Sequence, residues 1–67
     1  MTVRQLLQKQ KYHTKVIVDY FSTLAGEKVQ EDFYLMEYNE IIYRHGNTPV
    51  KWFYITHSPQ PTLVIEI

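Results

Sequence analysis

The stretch at residues 36–54, MEYNEIIYRHGNTPVKWFY, decides the fold, because it separates two strand-like halves of the chain. The neighbouring Ile41 and Ile42 break the two-residue period of a strand and favour a short helix over 39–45. The alternative is a β-hairpin that turns through residues 45–49. We favour the helix, which places an α-element between two pairs of strands.

The polar residues around the two isoleucines suit the ends of a helix. Asn39 is an expected N-cap, and Glu40 lies in the electropositive first turn. Arg44 and His45 fall in the last turn, where cations suit the negative end of the helix dipole. Gly46 is expected at the position after the helix, with positive φ. The Arg-His-Gly run is therefore predicted to end a helix.

The start of the chain, MTVRQLLQKQ, predicts a short amphipathic helix. Thr2 and Gln5 form a capping-box pattern, in which the hydroxyl accepts from a first-turn amide and the Gln side chain reaches back. Val3, Leu6 and Leu7 give one apolar stripe at i, i+3 and i+4. Because so short a helix is marginal alone, it is expected to lie on a sheet.

Apolar residues that alternate with a period of two predict strands. The four segments with this pattern are 13–21, 28–38, 50–56 and 62–67. Glu31 is the exception on an otherwise apolar face of the second segment, and HSPQP at 57–61 is a hairpin connection. The prediction is one α+β domain over residues 1–67. Its order is αββαββ, with a four-stranded, mainly antiparallel sheet and two short helices.

Composition bounds the function of the chain. Its 67 residues contain no cysteine, and seven Lys and Arg balance seven Asp and Glu. Without cysteine there is no disulfide, no thiol nucleophile and no Cys-based metal site. A net charge of zero argues against a nucleic-acid binder that depends on a basic patch. No apolar run reaches the length of a membrane span or a signal peptide, so a soluble, cytoplasmic protein is expected.

No polar motif in the sequence indicates a catalytic, metal-binding or phosphate-binding site. His13, His45 and His57 lack the spacing of a zinc site. His57 and Ser58 are adjacent in a turn, without the surroundings of a catalytic nucleophile. No glycine-rich phosphate loop is present. We therefore predict no catalytic residue, no cofactor and no metal, and we expect the protein not to be an enzyme.

The aromatic residues, 15% of the chain, are the least explained feature. Core packing accounts for many of them, and stacking of single-stranded nucleic acid is disfavoured because a basic groove is missing. Tyr, Trp, Met and Arg are the residue types enriched at interfaces, which favours an exposed patch for a protein partner. The predicted partner-binding residues are Tyr34, Met36, Tyr38, Trp52 and Tyr54, with Arg44 and His45 as polar rim.

The ends of the chain carry a resemblance. MTVRQLL followed by TKVIVDY, and the closing TLVIEI, resemble a loose class of small accessory proteins encoded by phages and prophages of Gram-positive bacteria. The resemblance does not extend to the middle of the chain. It implies a cytoplasmic protein of a mobile element, and some small phage proteins block a host defence protein such as a CRISPR nuclease.

These observations predict a non-enzymatic protein-binding module, homodimeric, which occludes the surface of a bacterial host protein with a bare sheet face or an open strand edge. The phage-like ends make a host-directed inhibitor the most concrete version. The alternative is a structural or regulatory homo-oligomer of a mobile element with no external target.

Overall fold

The computed structural model of the chain describes residues 1–9, 15–34 and 37–67. They form an α+β fold in the order α, β, β, α, β, β, which confirms the predicted class and order. The elements are α1 Val3–Lys9, β1 Lys15–Ser22, β2 Glu27–Tyr34, α2 Tyr38–His45, β3 Trp52–Thr56 and β4 Thr62–Glu66. The helix over 39–45 is confirmed, and a hairpin at 45–49 is excluded.

The four strands form one sheet in the order β2-β1-β4-β3. β1 pairs with β2 and β3 pairs with β4 in antiparallel hairpins, whereas the two central strands β1 and β4 run parallel. The sheet is therefore mixed but mostly antiparallel. Because β2 and β3 lie at opposite edges, the segment that contains α2 carries the chain from one edge of the sheet to the other.

Both helices contribute to one hydrophobic core. Its buried side chains come from α1, α2, β1, β2 and β4. They are Val3, Leu6, Leu7, Val16, Val18, Phe33, Ile41, Leu63 and Ile65. Among the described residues no side chain of β3 belongs to this buried cluster, so β3 is the strand that the core covers least.

Helix α1 begins with the predicted capping box. The backbone N–H of Thr2 donates to Gln5 Oε1 at 2.9 Å, and the N–H of Gln5 donates to Thr2 Oγ1 at 3.3 Å. The predicted stripe of Val3, Leu6 and Leu7 is buried. A seven-residue helix therefore gains its stability from a satisfied N-terminus and from packing on the sheet.

The segment after α2 supplies hydrogen-bond acceptors for the first turn of α1. The first-turn N–H groups of Val3 and Arg4 donate to the carbonyl oxygens of Thr48 and Gly46, each at 3.0 Å. These donors have no partner within their own helix, so the neighbouring segment supplies it. The chain start and the end of α2 are thereby held together.

Two details of the predicted helix ends were wrong. The residue before α2 is Glu37, and Asn39 lies inside the helix. Gly46 has φ −54°, in the right-handed region, so positive φ is not why glycine stands there. Gly46 is buried, and a Cβ at this position would clash with the Ile42 carbonyl oxygen and lie 3.2 Å from an Arg4 guanidinium nitrogen. Glycine is required by close packing.

Strand β2 is shorter than the predicted strand 28–38. It ends at Tyr34, whose backbone N–H donates to Glu37 Oε2 at 2.8 Å. Tyr38 begins α2 and packs partly buried against the core, so its assignment to the strand was wrong. Met36, a predicted partner-binding residue, lies outside the described residues, as does His13.

Candidate protein-interaction surface at strand β3

Strand β3 is an edge strand whose apolar side chains remain in solvent. Its sequence, WFYIT, has aromatic or aliphatic residues at four successive positions. The exposed fractions are 54% for Trp52, 36% for Phe53, 45% for Tyr54 and 40% for Ile55. Because successive side chains of a strand point to opposite faces, the exposed apolar surface lies on both faces of the sheet edge.

Trp52 and Tyr54 lie on the sheet face that the helices leave open. Tyr54 is the register partner of Val64, and Trp52 is the partner of Glu66. The two aromatic rings stack with their centroids 5.5 Å apart and an interplanar angle of 27°. Val64, the register partner of Tyr54, is only 7% exposed, whereas about half of each of the two aromatic residues is in solvent.

Phe53 and Ile55 lie on the helix side of the same strand. Their register partners, Ile65 and Leu63, are fully buried under the helices. Phe53 and Ile55 are themselves exposed, because β3 is the outermost strand and they stand at the rim of the core. The edge thus presents a pair of apolar side chains on each face.

The backbone groups at this edge can be assigned from the sheet geometry. Neighbouring residues of a strand direct their N–H and C=O groups to opposite sides. At the end of β4 the N–H of Ile67 donates to Asp19 O of β1 at 3.0 Å, so the odd-numbered residues of this segment face β1. The even-numbered residues face β3 and pair with its even-numbered residues. The N–H and C=O groups of Phe53 and Ile55 therefore point outward.

The other sheet edge, β2, is composed differently. The same alternation places the backbone groups of its even-numbered residues outward, among them Lys28, Gln30 and Asp32. Charged residues on an edge oppose pairing with another chain. The outward N–H of Tyr34 is already accepted by Glu37. Only β3, of the two edges, combines outward backbone groups with uncharged apolar side chains.

Two ion pairs on the open face connect lysine and carboxylate side chains of different strands. Lys15 Nζ lies 2.9 Å from Asp32 Oδ2, and Lys28 Nζ lies 2.7 Å from Glu66 Oε1. The hydrogen bond to Asp32 raises the pKa of Lys15 above its usual value. The hydrogen bond from Lys28 lowers the pKa of Glu66, and the bond to Glu66 raises that of Lys28. The carboxylate of Glu66, the register partner of Trp52, is thereby paired with Lys28 beside the aromatic stack.

A polar cluster attaches α2 to β2 on the helix side. Glu31 Oε1 lies 2.7 Å from His45 Nε2, and Glu31 Oε2 accepts from Arg44 at 2.8 Å. Arg44 Nε also donates to Glu40 at 2.7 Å, and the ring of Tyr20 lies 5.3 Å from that of His45. The bond to Glu40, supported by the charge of Glu31, raises the pKa of Arg44.

An open groove of about 650 Å³ lies beside this cluster, lined by Glu31, Asp32, Phe33, Glu37, Glu40 and Arg44. Its carboxylates are largely committed. Glu31 and Glu40 bind Arg44, Asp32 binds Lys15, and Glu37 accepts the Tyr34 N–H. The arrangement serves to hold α2 on the sheet and offers no pair of carboxylates poised for proton transfer.

The structure divides the predicted partner-binding residues between the two faces of the sheet, with Tyr34, Trp52 and Tyr54 on the open face. Trp52 and Tyr54 form the stacked pair at β3. Tyr34 is exposed at the opposite edge, three strand spacings away, or about 14 Å. Arg44 and His45 lie on the helix side and bind Glu31, so they do not form a rim around the aromatic pair. Their role in binding a partner stays a prediction.

The alternation in WFYIT predicts Trp52 and Tyr54 on one face and Phe53 and Ile55 on the other, with either pair a candidate for the exposed patch. In the structure both pairs are exposed, because β3 is the outermost strand. The strand order alone places it at an edge, and a parallel pairing of β1 with β4 has no local signal in the sequence.

Within residues 1–9, 15–34 and 37–67, no group of three His, Asp or Glu side chains is arranged to hold a metal ion. Neither described helix is long and apolar enough to cross a membrane.

Comparison of the chain with protein-family models, with curated proteins and with solved structures finds no match.

Proposed function

We propose that this chain is a non-enzymatic protein-binding module that pairs the β3 edge with a strand of another polypeptide. The observation that supports the proposal is the coincidence, on one edge, of outward backbone groups and four exposed apolar side chains, Trp52–Ile55. An unprotected apolar edge favours pairing with another chain, and soluble proteins ordinarily protect such edges. The charged β2 edge of the same sheet shows that protection.

Binding at such an edge uses two kinds of contact. The N–H and C=O groups of Phe53 and Ile55 form main-chain hydrogen bonds with the incoming strand, which supply affinity without requiring a particular sequence. Trp52 and Tyr54 on one face, and Phe53 and Ile55 on the other, then contact the side chains of that strand. Large aromatic residues that become desolvated at an interface contribute most of the binding energy.

The balanced charge of the chain predicts that the binding affinity depends only weakly on salt concentration. No charged residue lies in β3, and the net charge is zero. We therefore expect the affinity to change little between low and physiological salt, because screening weakens only charge-mediated attraction. A steep loss of affinity over that range would replace this mechanism by an electrostatic one.

The more specific version of the proposal is a host-directed inhibitor. In this version the module is cytoplasmic in a bacterial host and blocks a defence protein, such as a CRISPR nuclease, by covering its surface. The resemblance of the chain ends to phage and prophage accessory proteins is what supports it. The β3 edge is compatible with such a role, since occlusion requires a binding surface and no catalytic group.

The proposal is tested by comparing three immobilised proteins against a bacterial lysate: the wild-type chain, Ile55→Lys and Gln30→Lys. Both substitutions introduce one lysine at an edge position whose backbone points outward, on β3 and on β2 respectively. We expect a protein retained by the wild type and by Gln30→Lys to be lost by Ile55→Lys, and to bind again when purified. Equal retention by all three would show that β3 is not the binding edge.

A further inference from the structure

We infer that the β3 edge also accepts a second copy of this chain, by antiparallel pairing of β3 with β3 about a two-fold axis. The inference rests on the proposed function, since it names an occupant for the same edge. It joins two four-stranded sheets into one of eight strands, with all four helices on one face.

The register of this pairing follows from which backbone groups point outward. Only Phe53 and Ile55 of β3 present them. In an antiparallel pair, residues that exchange both hydrogen bonds must each direct their backbone groups toward the other strand. The register that uses every outward group of β3 sets Phe53 opposite the partner's Ile55, and Ile55 opposite the partner's Phe53. It forms four main-chain hydrogen bonds.

The same register produces matched side-chain contacts on both faces. On the helix side, Phe53 and Ile55 meet the partner's Ile55 and the partner's Phe53, which gives aromatic-to-β-branched pairs of the kind that stabilise sheets. On the open face, Tyr54 lies on the two-fold axis beside the partner's Tyr54. The stacked pair of Trp52 and Tyr54 is thereby extended into a row of four aromatic rings.

Charge and area both suit a second copy. β3 contains no charged residue, so two copies bring no like charges together within the paired strands. The exposed fractions of its four apolar side chains correspond to roughly 350–400 Å² per protomer, taking about 150–250 Å² for each whole side chain. The two protomers together would bury at most about 750 Å² from these side chains, which is below the roughly 1,200 Å² of stable interfaces. We therefore expect a weak dimer that dissociates on dilution.

The axis position of Tyr54 gives a direct test, because the chain contains no cysteine. Tyr54→Cys places two thiols at a pair whose Cα atoms are about 4.5 Å apart, within the range that a disulfide spans. Trp52→Cys is the matched control, since the two copies of residue 52 lie about 14 Å apart in this register. We expect covalent dimer to form on mild oxidation at least about tenfold faster for Tyr54→Cys than for Trp52→Cys.

A second pair of variants does not depend on thiol chemistry. Tyr54→Lys and Tyr54→Glu each place like charges face to face on the axis, so each alone should be monomeric by light scattering. Their equimolar mixture should form a heterodimer, because the charges are then opposite. Circular dichroism is used to check that each variant is folded.

The inference is overturned if the wild-type chain stays monomeric at high micromolar concentration and residues 52 and 54 cross-link equally. If Ile55→Lys nevertheless loses a lysate protein that the wild type retains, the proposed function stands and only the second copy is excluded. If Ile55→Lys loses nothing and Tyr54→Cys still cross-links selectively, the edge serves self-association and the external partner is excluded.

Discussion

Glu31 of β2 and His45 of α2 are joined by a 2.7 Å contact between Oε1 and Nε2, and each side chain is less than one-fifth exposed. The second oxygen of the same carboxylate accepts from Arg44, so one residue holds the last turn of α2 on the sheet. Glu31, the polar residue between Val29 and Phe33 on the helix side of β2, is thus the point where the helix is attached.

Removal of this carboxylate is expected to destabilise the fold. Glu31→Ala leaves the partly buried His45 without its partner and removes one of the two carboxylates that bind Arg44. Hydrogen bonds to charged groups each contribute about 1.5–3 kcal/mol, so we expect the free energy of unfolding to fall by about 2 kcal/mol in urea titration. Asp32→Ala is the control, because its ion pair with Lys15 lies on the open sheet face and should contribute less than the contacts of Glu31. Equal losses for the two variants would contradict the structural role of Glu31.

The two glycines are expected to respond differently to substitution. Gly46→Ala forces a Cβ against the Ile42 carbonyl, and overpacking of this kind costs about 1–3 kcal/mol. Gly26 has φ +70° and open space around it, so Gly26→Ala is strained by its backbone alone. Asparagine tolerates positive φ, and Gly26→Asn should therefore be milder than Gly26→Ala. Gly46→Asn should be no milder than Gly46→Ala; a reversal in thermal unfolding would show that conformation, not space, limits position 46.

The capping box of α1 gives a prediction for the chain start. Thr2→Ala removes the hydroxyl that accepts the Gln5 N–H, and loss of an N-cap residue typically costs about 1 kcal/mol. Thr2→Ser retains the hydroxyl and should lie within a few tenths of a kcal/mol of the wild type, as caps of these two types rank closely. The midpoint of urea unfolding measures both, and a similar loss for Thr2→Ser would assign the effect to the threonine methyl group.

The Lys28–Glu66 ion pair predicts how stability depends on pH. The hydrogen bond from Lys28 lowers the pKa of Glu66 in the folded state. The unfolded chain therefore binds a proton at higher pH than the folded chain does, so the stabilisation is present above the unfolded carboxyl pKa. It is lost as the pH falls through the folded pKa. Since the pKa of Lys28 is raised, its contribution is lost only on the alkaline side.

Glu66→Gln removes this contribution and should flatten the decrease in stability between neutral and acid pH, as measured by urea unfolding at several pH values. Lys28→Gln should have the same effect, because it removes the group that lowers the pKa of Glu66. If Glu66→Gln left the acid slope unchanged, another carboxyl would account for it.

Trp52 is the only tryptophan of the chain and reports directly on β3. Its side chain is half exposed, so its fluorescence in dilute solution should resemble that of a solvated indole. Raising the protein concentration should shift the emission to shorter wavelength as the edge pairs. Ile55→Lys should remove the concentration dependence, whereas Gln30→Lys should retain it. A shift that persists in Ile55→Lys would assign the burial of Trp52 to another contact.

Local patterns predicted the elements because their causes lie within a few residues. The capping box of Thr2 and Gln5 and the buried stripe of α1 depend on spacings of three and four. Adjacent Ile41 and Ile42 cannot share one face of a strand, which predicted α2. The ends were less accurate, since the placement of Glu37 before α2 follows from its bond to the Tyr34 N–H of another element.

The sequence by itself determined an α+β chain with two short helices, two hairpins and an excess of aromatic residues. Only the tertiary structure decided what those residues do. Because β1 pairs in parallel with β4, the strand that contains WFYI lies at an edge of the sheet, where the core does not cover it. Arg44 and His45 lie on the opposite face of the sheet from Trp52. The physical reason is that strand order depends on contacts between segments about fifty residues apart, which no local spacing encodes.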